Sequence, residues 1–346
     1  MRSIPKLLAL CLGASLVACG SAPQSQVSGA PQAQARAPAR EAVQLKIVAL
    51  GGGFLWPLWA GNAQGFFARN GVGITINTSP NTSYMMGGLI SGTFPIALAS
   101  ADDVIAYREG QTVGSLPGPD LKIVMGGDSG FLKLISLPAI HTVPELKGKE
   151  LAVDSINSGS SFVMREILAK SGLEWKRDYT TVPSGSAQER FLSLLDKKLS
   201  AAMVITPLDI FAKAQGMNVL TDAPDALGHY QGVVGAVNGK WAEENRDALV
   251  GFIRAYRQSL LWLYDPANHA AAVALFRRNL EADAKTAETA YGVLLDPVKG
   301  LNPEARLDEE GMRTVLRLHE KYAQPAKKLE PLSAYYDPKY YDAAKP

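Results

Sequence analysis

The segment Leu45-Lys46-Ile47-Val48-Ala49-Leu50-Gly51-Gly52-Gly53-Phe54-Leu55-Trp56 contains the pattern on which the fold of this chain depends. A short apolar run ends in three glycines, and residues with helical spacing then continue from Trp56 to residue 70, before Gly71. This order predicts a strand, a loop and a helix, and residues 72–78 alternate as a second strand. A folded domain is therefore expected to begin near Val43.

The alternation of strands and helices continues along most of the chain. Strands are predicted over residues 96–100, 121–125, 151–154, 179–182, 201–205 and 232–237, with helices over residues 84–91, 102–109, 158–170, 187–196 and 208–215. The pattern after residue 237 is helical. Strands that alternate with helices at this spacing predict an α/β fold of mostly parallel sheets flanked by helices.

The pattern restarts after residue 149, which predicts two lobes. The expected division is residues 43–136 for the first part of lobe 1, residues 137–232 for lobe 2, and residues 233–346 for the return to lobe 1 and the C-terminal helices. Residues 132–138 and 232–237 are expected to cross between the lobes as a hinge. Because ligands bind at the carboxyl ends of parallel strands, a ligand cleft is expected between the lobes.

The N-terminal residues have the pattern of an export signal. The run LVAC at residues 16–19 follows a basic start and an apolar stretch over residues 7–17. This pattern predicts a lipoprotein signal over residues 1–19, with a lipid anchor at Cys19; a plain secretory peptide with a chance cysteine is the alternative. Residues 20–42 are poor in large apolar groups and are expected to form a flexible tether. The protein is therefore expected to be periplasmic or extracytoplasmic and anchored to a membrane.

The composition excludes several classes of protein. With 346 residues and 47% hydrophobic content, the chain can bury one large core or two medium ones. The formal net charge is +2, and loss of Arg2 and Lys6 with the signal leaves the mature chain neutral, so no nucleic-acid partner is expected. Cys11 and Cys19 are the two cysteines of the chain, which leaves no disulfide within the mature protein.

Four stretches carry a family resemblance: residues 65–72 (GFFARNGV), 86–99 (MGGLISGTFPIALA), 144–153 (PELKGKELAV) and 335–341 (YYDPKYY). In this order they resemble the solute-binding proteins of ABC importers with the type II periplasmic binding fold, in the NMT1 and SsuA-like group for nitrate, sulfonate, taurine or thiamine precursors. The resemblance covers nearly all of residues 43–342. It implies a monomer that captures a small molecule between two lobes and delivers it to a membrane permease, without catalysis or a cofactor.

Two aromatic residues after the glycine turn are candidates for the ligand site. Phe54 and Trp56 would form a stacking wall for a ring or an apolar group, since glycine lets the backbone approach a ligand closely. The alternative is that one of them belongs to the core. The turn is not a dinucleotide fingerprint, because Trp56 stands where the last glycine is required.

Polar residues at two predicted helix starts are further candidates. Free amides and the positive end of the helix dipole favour a polar or anionic ligand group there, and hydroxyl groups add donors. Ordinary helix capping is the alternative. The candidates are Asn81, Thr82 and Ser83 in lobe 1 and Asn157, Ser158 and Ser160 in lobe 2.

Four more candidates follow predicted strands: Ser100, Asp102, Asp128 and Thr206. Asp102 could pair with an amine, although Asp102 and Asp103 also fit the ordinary preference for acids in the first turn of a helix. No Arg or Lys occupies the early turns, which disfavours a strongly charged anion. A neutral or weakly acidic organic molecule with a planar or apolar part is therefore expected, rather than a simple inorganic anion.

Two other functions stay open on the residues alone. An enzyme of the thiamine-pyrimidine synthase type shares this fold, although the mature chain offers no thiol beyond Cys19. A sensory or assembly lipoprotein that has lost the pocket is the other alternative. The four histidines lack metal-ligand spacing, and no metal site is expected.

Overall fold

The computed structural model of the protein describes residues 42–112, 118–130 and 132–346. The predicted signal, the lipidation site Cys19 and residues 20–41 of the predicted tether lie outside the described residues. Within the described ranges, no helix is both long and apolar enough to cross a membrane.

The strands of the described residues form two sheets. In chain order the strands are β1 (Val43–Leu50), β2 (Val72–Ser79), β3 (Ile96–Ser100), β4 (Leu121–Gly126), β5 (Lys133–Ser136), β6 (Glu150–Val153), β7 (Thr180–Pro183), β8 (Ala201–Val204), β9 (Asn218–Asp222) and β10 (Val233–Asn238). The strand order is β2-β1-β3-β10-β4 in the first sheet and β7-β6-β8-β5-β9 in the second. The first sheet is the centre of lobe 1 and the second is the centre of lobe 2.

Helices follow most of the strands, and a run of helices follows β10. They are α1 (Trp56–Ala63), α2 (Phe66–Arg69), α3 (Thr82–Ile90), α4 (Ala101–Arg108), α5 (Gly159–Lys170), α6 (Ala187–Leu195), α7 (Leu208–Ala214), α8 (Ala223–Leu227), α9 (Gly239–Glu244), α10 (Arg246–Tyr264), α11 (His269–Leu280), α12 (Ala284–Leu294), α13 (Glu309–Tyr322), α14 (Leu332–Tyr335) and α15 (Lys339–Ala343). The single helix predicted over residues 56–70 is divided at Gly65, whose φ of +70° is left-handed.

Each sheet has one strand that runs against the other four. In lobe 1, β1 pairs in parallel with β2 and β3, and β10 lies antiparallel between β3 and β4. In lobe 2, β6 pairs in parallel with β7 and β8, and β5 lies antiparallel between β8 and β9. The predicted α/β class, with mostly parallel sheets flanked by helices, is confirmed.

The crossings between the lobes differ from those expected. Residues 132–138 contain β5, which pairs with β8 and β9 and so belongs to lobe 2. Residues 232–237 fall in β10, inside the first sheet. Residues 132–138 therefore contain an interior strand rather than a linker, because a buried apolar segment needs hydrogen-bond partners for its backbone. The return strand predicted over residues 232–237 is present as β10. The chain passes from the first sheet to the second between β4 and β5 and returns between β9 and β10.

Asp128 joins the two crossing segments. Its carboxylate accepts hydrogen bonds from the amides of Gly130 at 2.6 Å and Val233 at 3.1 Å, and its carbonyl accepts one from Gln231 Nε2 at 3.0 Å. Burial raises the pKa of the Asp128 carboxyl to about 7, although the two amide bonds lower it. Since the backbone uses both carboxylate oxygens, Asp128 serves the hinge instead of offering those oxygens to a ligand.

Replacing Asp128 by Asn should lower the free energy of unfolding by about 1–3 kcal/mol, because an amide nitrogen cannot accept from the backbone amides of Gly130 and Val233. Denaturant unfolding of the full chain at pH 7 measures this change. Asp247→Asn, at an exposed position in the first turn of α10, is the control and should leave stability nearly unchanged. Equal stabilities of the wild type and Asp128→Asn would contradict this role.

Candidate functional site

The glycine turn after β1 touches the turn after β8 in the other lobe. The Gly53 amide donates a hydrogen bond to the Thr206 carbonyl at 3.2 Å. A Cβ atom on Gly53 would lie 2.5 Å from Leu294 Cδ1, and one on Gly52 would lie 2.8 Å from Ile205 Cδ1. Glycine fits here because a Cβ atom on Gly53 would also lie only 3.2 Å from the Thr206 carbonyl oxygen, a backbone atom of lobe 2. The carboxyl ends of the two sheets therefore face each other in direct contact.

The aromatic candidates beyond this turn are buried in lobe 1. Phe54 is 4% exposed and Trp56 is fully buried. The Trp56 ring packs against Phe276, with centroids 4.9 Å apart, and against Tyr291 at 5.9 Å. This packing fits the core alternative for Trp56 rather than a stacking wall for a solute. The apolar pattern could not separate the two, because both roles require a large apolar side chain next to the turn.

The polar residues at the helix start after β2 have different roles. One caps the helix, and another contacts an aspartate of the candidate site. Asn81 caps α3, because its side chain accepts a hydrogen bond from the Tyr84 amide at 2.9 Å. Thr82 Oγ1 lies 3.4 Å from Asp103 Oδ2 in the first turn of α4. Ser83 Oγ accepts from the Tyr107 hydroxyl at 3.4 Å. Of these three, Thr82 is the residue that contacts the acidic group described below.

The helix start after β6 is organised around Asp154. Ser158 caps α5 by accepting from the Ser161 amide at 3.3 Å. The hydroxyls of Ser158 and Ser160 both donate to Asp154 Oδ1, the latter at 2.7 Å. These hydroxyls therefore hold Asp154 in place, which the capping signal alone did not reveal.

Asn157 connects lobe 2 to other parts of the chain. Its Nδ2 donates to the carbonyls of Gln324 at 2.6 Å and Gln111 at 3.2 Å, and its Oδ1 accepts from the Gln324 amide at 3.1 Å. Both ends of the side-chain amide are occupied, so the ligand role expected for Asn157 is not supported by its contacts.

Asp102 belongs to a buried network. Its Oδ1 accepts from His319 Nε2 at 3.1 Å, and its Oδ2 accepts from the hydroxyls of Tyr230 and, at 3.4 Å, Ser100. A Cβ atom added at Gly159 in α5 would collide with the Asp102 carboxylate at 2.4 Å. A ring nitrogen of His319 thus occupies the carboxylate that was expected to pair with an amine of the ligand, and no spacing in the sequence links His319 with Asp102.

Asp103 and Asp154 form the acidic pair, which comprises one carboxylate from each lobe. Asp103 lies in the first turn of α4, and Asp154 follows β6. Burial, the charge of Asp154 and the charge of Asp102 together raise the pKa of the Asp103 carboxyl well above its usual range, against the hydrogen bond from Thr82. The positive charge of Arg190, a buried residue of α6, acts on Asp154 from within lobe 2. The two lobes therefore bring like charges together, and no cation is among the groups that shift the pKa of Asp103.

Thr206, which touches Gly53, carries an unsatisfied group. Its side chain is fully buried, and its Oγ1 has no hydrogen-bond partner among the described residues. A buried hydroxyl without a partner costs free energy that a bound molecule can offset. Within the same residues, no cluster of three His, Cys, Asp or Glu side chains is arranged to hold a metal ion.

A groove of about 760 Å³ lies elsewhere on the protein. Its walls include Leu55, Trp59, Ile76, Leu275 and Arg278, and all of its lining residues belong to lobe 1. Since lobe 2 contributes nothing to it, this groove is distinct from the contact between the lobes.

Comparison with known proteins gives a family match. A family model described as NMT1/THI5 like matches residues 55–269, which is more than half of the chain. No curated protein matches the chain significantly.

Solved structures with the same architecture cover most of the chain. The nitrate-binding protein NrtA of Synechocystis PCC 6803 has a TM-score of 0.73 at 12% identity, over 88% of this chain and 89% of that one. A ligand-binding component of an ABC-type import system from Staphylococcus aureus, with zinc bound, has 0.72 at 13%, over 88% and 99%. The alkanesulfonate-binding protein SsuA from Xanthomonas axonopodis pv. citri, bound to MOPS, has 0.70 at 17%, over 86% and 99%. The predicted periplasmic binding protein fold is confirmed.

Trp56→Ala should lower the free energy of unfolding by about 3–5 kcal/mol, because it opens a cavity between Trp56, Phe276 and Tyr291. Thermal or denaturant unfolding measures the loss. Trp59→Ala is the matched control, since Trp59 is only partly buried, and it should cost clearly less. A Trp56→Ala protein with unchanged stability would show that the ring is not a core element.

Proposed function

The chain belongs to the NMT1/THI5-like family, and from that premise we propose that it is the solute-binding component of an ABC importer. It captures a small organic molecule between its two lobes and delivers it to a membrane permease. Capture requires only that the solute bind the closed form better than the open form, so no bond in the solute is broken. The protein acts as a monomer outside the cytoplasm, held at a membrane by lipid on Cys19 and a tether over residues 20–42.

The observation that carries this proposal is the meeting of strand ends from the two sheets. The Gly53 amide of lobe 1 reaches the Thr206 carbonyl of lobe 2, and Asp103 and Asp154 approach from opposite lobes. Turns at the carboxyl ends of parallel strands are where α/β proteins bind their ligands. A solute placed there would touch both lobes at once and link binding to closure.

The acidic pair indicates the kind of solute. The carboxylates of Asp103 and Asp154 repel each other, and burial makes the repulsion more costly. Arg190 of lobe 2 acts on Asp154, so Asp103 is the carboxylate whose charge is left without a cation. A solute that presents N–H or O–H donors, or a positive charge, to Asp103 and Asp154 would remove this cost when the lobes close. We therefore favour an amine, amidine or aminopyrimidine over a sulfonate or nitrate, and the burial of Trp56 removes the reason to require a planar group.

A thermal-shift screen of the purified full chain tests this proposal. Amines, amidines and aminopyrimidines should raise the melting temperature in proportion to the logarithm of their concentration, because they bind only the folded state. Alkanesulfonates and nitrate serve as the comparison set and should raise it little. A panel without any stabilising solute would favour a sensory or assembly role, and turnover of a bound pyrimidine would favour an enzyme.

Asp103→Asn should raise the melting temperature by a few degrees at neutral pH and weaken solute binding at least tenfold. The raised pKa means that the ionised carboxylate destabilises the native state, so the gain is largest above that pKa and disappears below the ordinary carboxyl value. Binding weakens because an amide cannot offer a full negative charge to the solute. Melting curves between pH 3 and pH 8 and a titration with a solute found in the screen measure both effects.

The exposed residue Asp247, in the first turn of α10, provides the control for this substitution. Asp247→Asn should change neither the melting temperature nor the affinity. A lower melting temperature for Asp103→Asn at neutral pH would contradict the claim that the charge of Asp103 is uncompensated.

A further inference from the structure

Helix α13 contacts both lobes along its length. We propose that it is an interlobe strap, which holds the lobes together on one side, biases the solute-free protein toward the closed form and separates from α5 when the lobes open. Three sets of contacts support this role, one at the first turn of α13 and two near its last turn.

The first turn of α13 is fixed to the crossing segment before β10. The Asp308 amide, at the helix cap, donates to Gln231 Oε1 at 2.9 Å. A Cβ atom added at Gly311 would lie 2.6 Å from the Gln231 backbone nitrogen, so the helix and the crossing segment are packed backbone to backbone. This end of the strap therefore lies at the hinge.

Near its last turn, α13 is bound to lobe 1 through His319. The ring donates from Nε2 toward Asp102 at 3.1 Å, and Nδ1 lies 3.2 Å from Gln111 Oε1. His319, Asp102 and Gln111 are at most 1% exposed. A fully buried network whose members all have partners is costly to separate. We therefore assign the strap to lobe 1 in the open form.

The same end of α13 is bound to lobe 2 through Glu166 on α5. Glu166 accepts hydrogen bonds from Lys321 Nζ at 2.7 Å, the Tyr322 hydroxyl at 2.7 Å and Arg317 Nη1 at 3.2 Å. Burial would raise the pKa of the Glu166 carboxyl, but these three partners outweigh it and lower the pKa to about 2. The carboxylate is thus stabilised by contacts that exist only while α5 lies against α13.

Apolar contacts also join α13 to both lobes. The Phe162 ring of α5 packs edge-on against His319, with centroids 4.9 Å apart, and stacks on Tyr322, with centroids 6.2 Å apart. One continuous hydrophobic cluster contains Val104 of lobe 1, Leu318 of α13 and Phe162 of lobe 2.

The exposure of the charged groups indicates which contact breaks. The side chains of Arg317 and Lys321 are 50% and 48% exposed, so water can replace Glu166 as their partner when the lobes separate. His319 and Asp102 have no such access to water. When the two lobes separate, α13 therefore loses its contact with α5 and stays bound to lobe 1.

Glu166→Gln tests the strap without any solute, so the result is independent of the proposed function. Spin labels at the exposed residues Thr75 in β2 and Thr180 in β7, on the strands farthest from the crossings, report the distance between the lobes. The labels are attached to cysteines introduced at positions 75 and 180. The full chain also carries Cys11→Ser and Cys19→Ser, so that no other position is labelled. The open fraction should rise about tenfold, the effect of losing one charge-assisted hydrogen bond.

Arg313→Gln is the matched control, because Arg313 pairs at 3.2 Å with Glu309 of the same helix and is 64% exposed. It should leave the distance distribution unchanged. The double variant Arg317→Gln, Lys321→Gln removes the cations instead of the acid and should open the lobes even if Glu166→Gln folds poorly. The proposal would be overturned if Glu166→Gln and the double variant both kept the interlobe distance distribution of the wild type. It would also be overturned if Arg313→Gln opened the lobes as much as they do.

Discussion

The backbone contact between Gly53 and Thr206 is the constraint on which the rest of the structure depends. An amide of lobe 1 reaches a carbonyl of lobe 2 most easily if no side chain stands between the two turns, which fits glycine at position 53. Strand ends brought this close bury the polar residues that follow them, and each of these residues then needs a partner. Asp102 finds one in His319, and Ser160 finds one in Asp154.

The charges at the interface between the lobes are distributed unevenly. On the side of α13, the buried carboxylate of Glu166 has two cations and a hydroxyl as partners. These contacts stabilise the closed form without a solute. At the strand ends, Asp103 meets the like charge of Asp154, the cation Arg190 acts on Asp154 alone, and closure is opposed by the charge of Asp103. A protein built in this way can close partly by itself, while a solute that supplies the missing donors makes the closed form the stable one. This uneven distribution of charge lowers the stability of the folded protein at the site, as is common for functional residues.

The local sequence pattern predicted the strands and helices better than it predicted which strands pair and which side chains are in contact. β3 is found at its predicted residues, and the α/β class follows from the alternation of strands with helices. β10 was predicted as a strand, whereas β5 was expected as a linker, because an apolar run does not reveal whether it pairs or connects. β9 was missed because its residues are only partly buried. The place of Asp128 and Asp102 after strands predicts ligand contacts, but their partners, Val233 and His319, lie 105 and 217 residues away. Contacts over such separations depend on the tertiary fold, and no spacing rule in the sequence describes them.

Amide hydrogen exchange, measured with and without a stabilising solute, tests the central claim most directly. If the solute is held between the lobes, exchange should slow at once in the turn after β3, around Asp103, and in the turn after β6, around Asp154. Both turns should respond at the same solute concentration, because one molecule contacts both lobes. Slowing confined to one lobe, or slowing only in the groove of lobe 1 around Trp59, would contradict capture between the lobes.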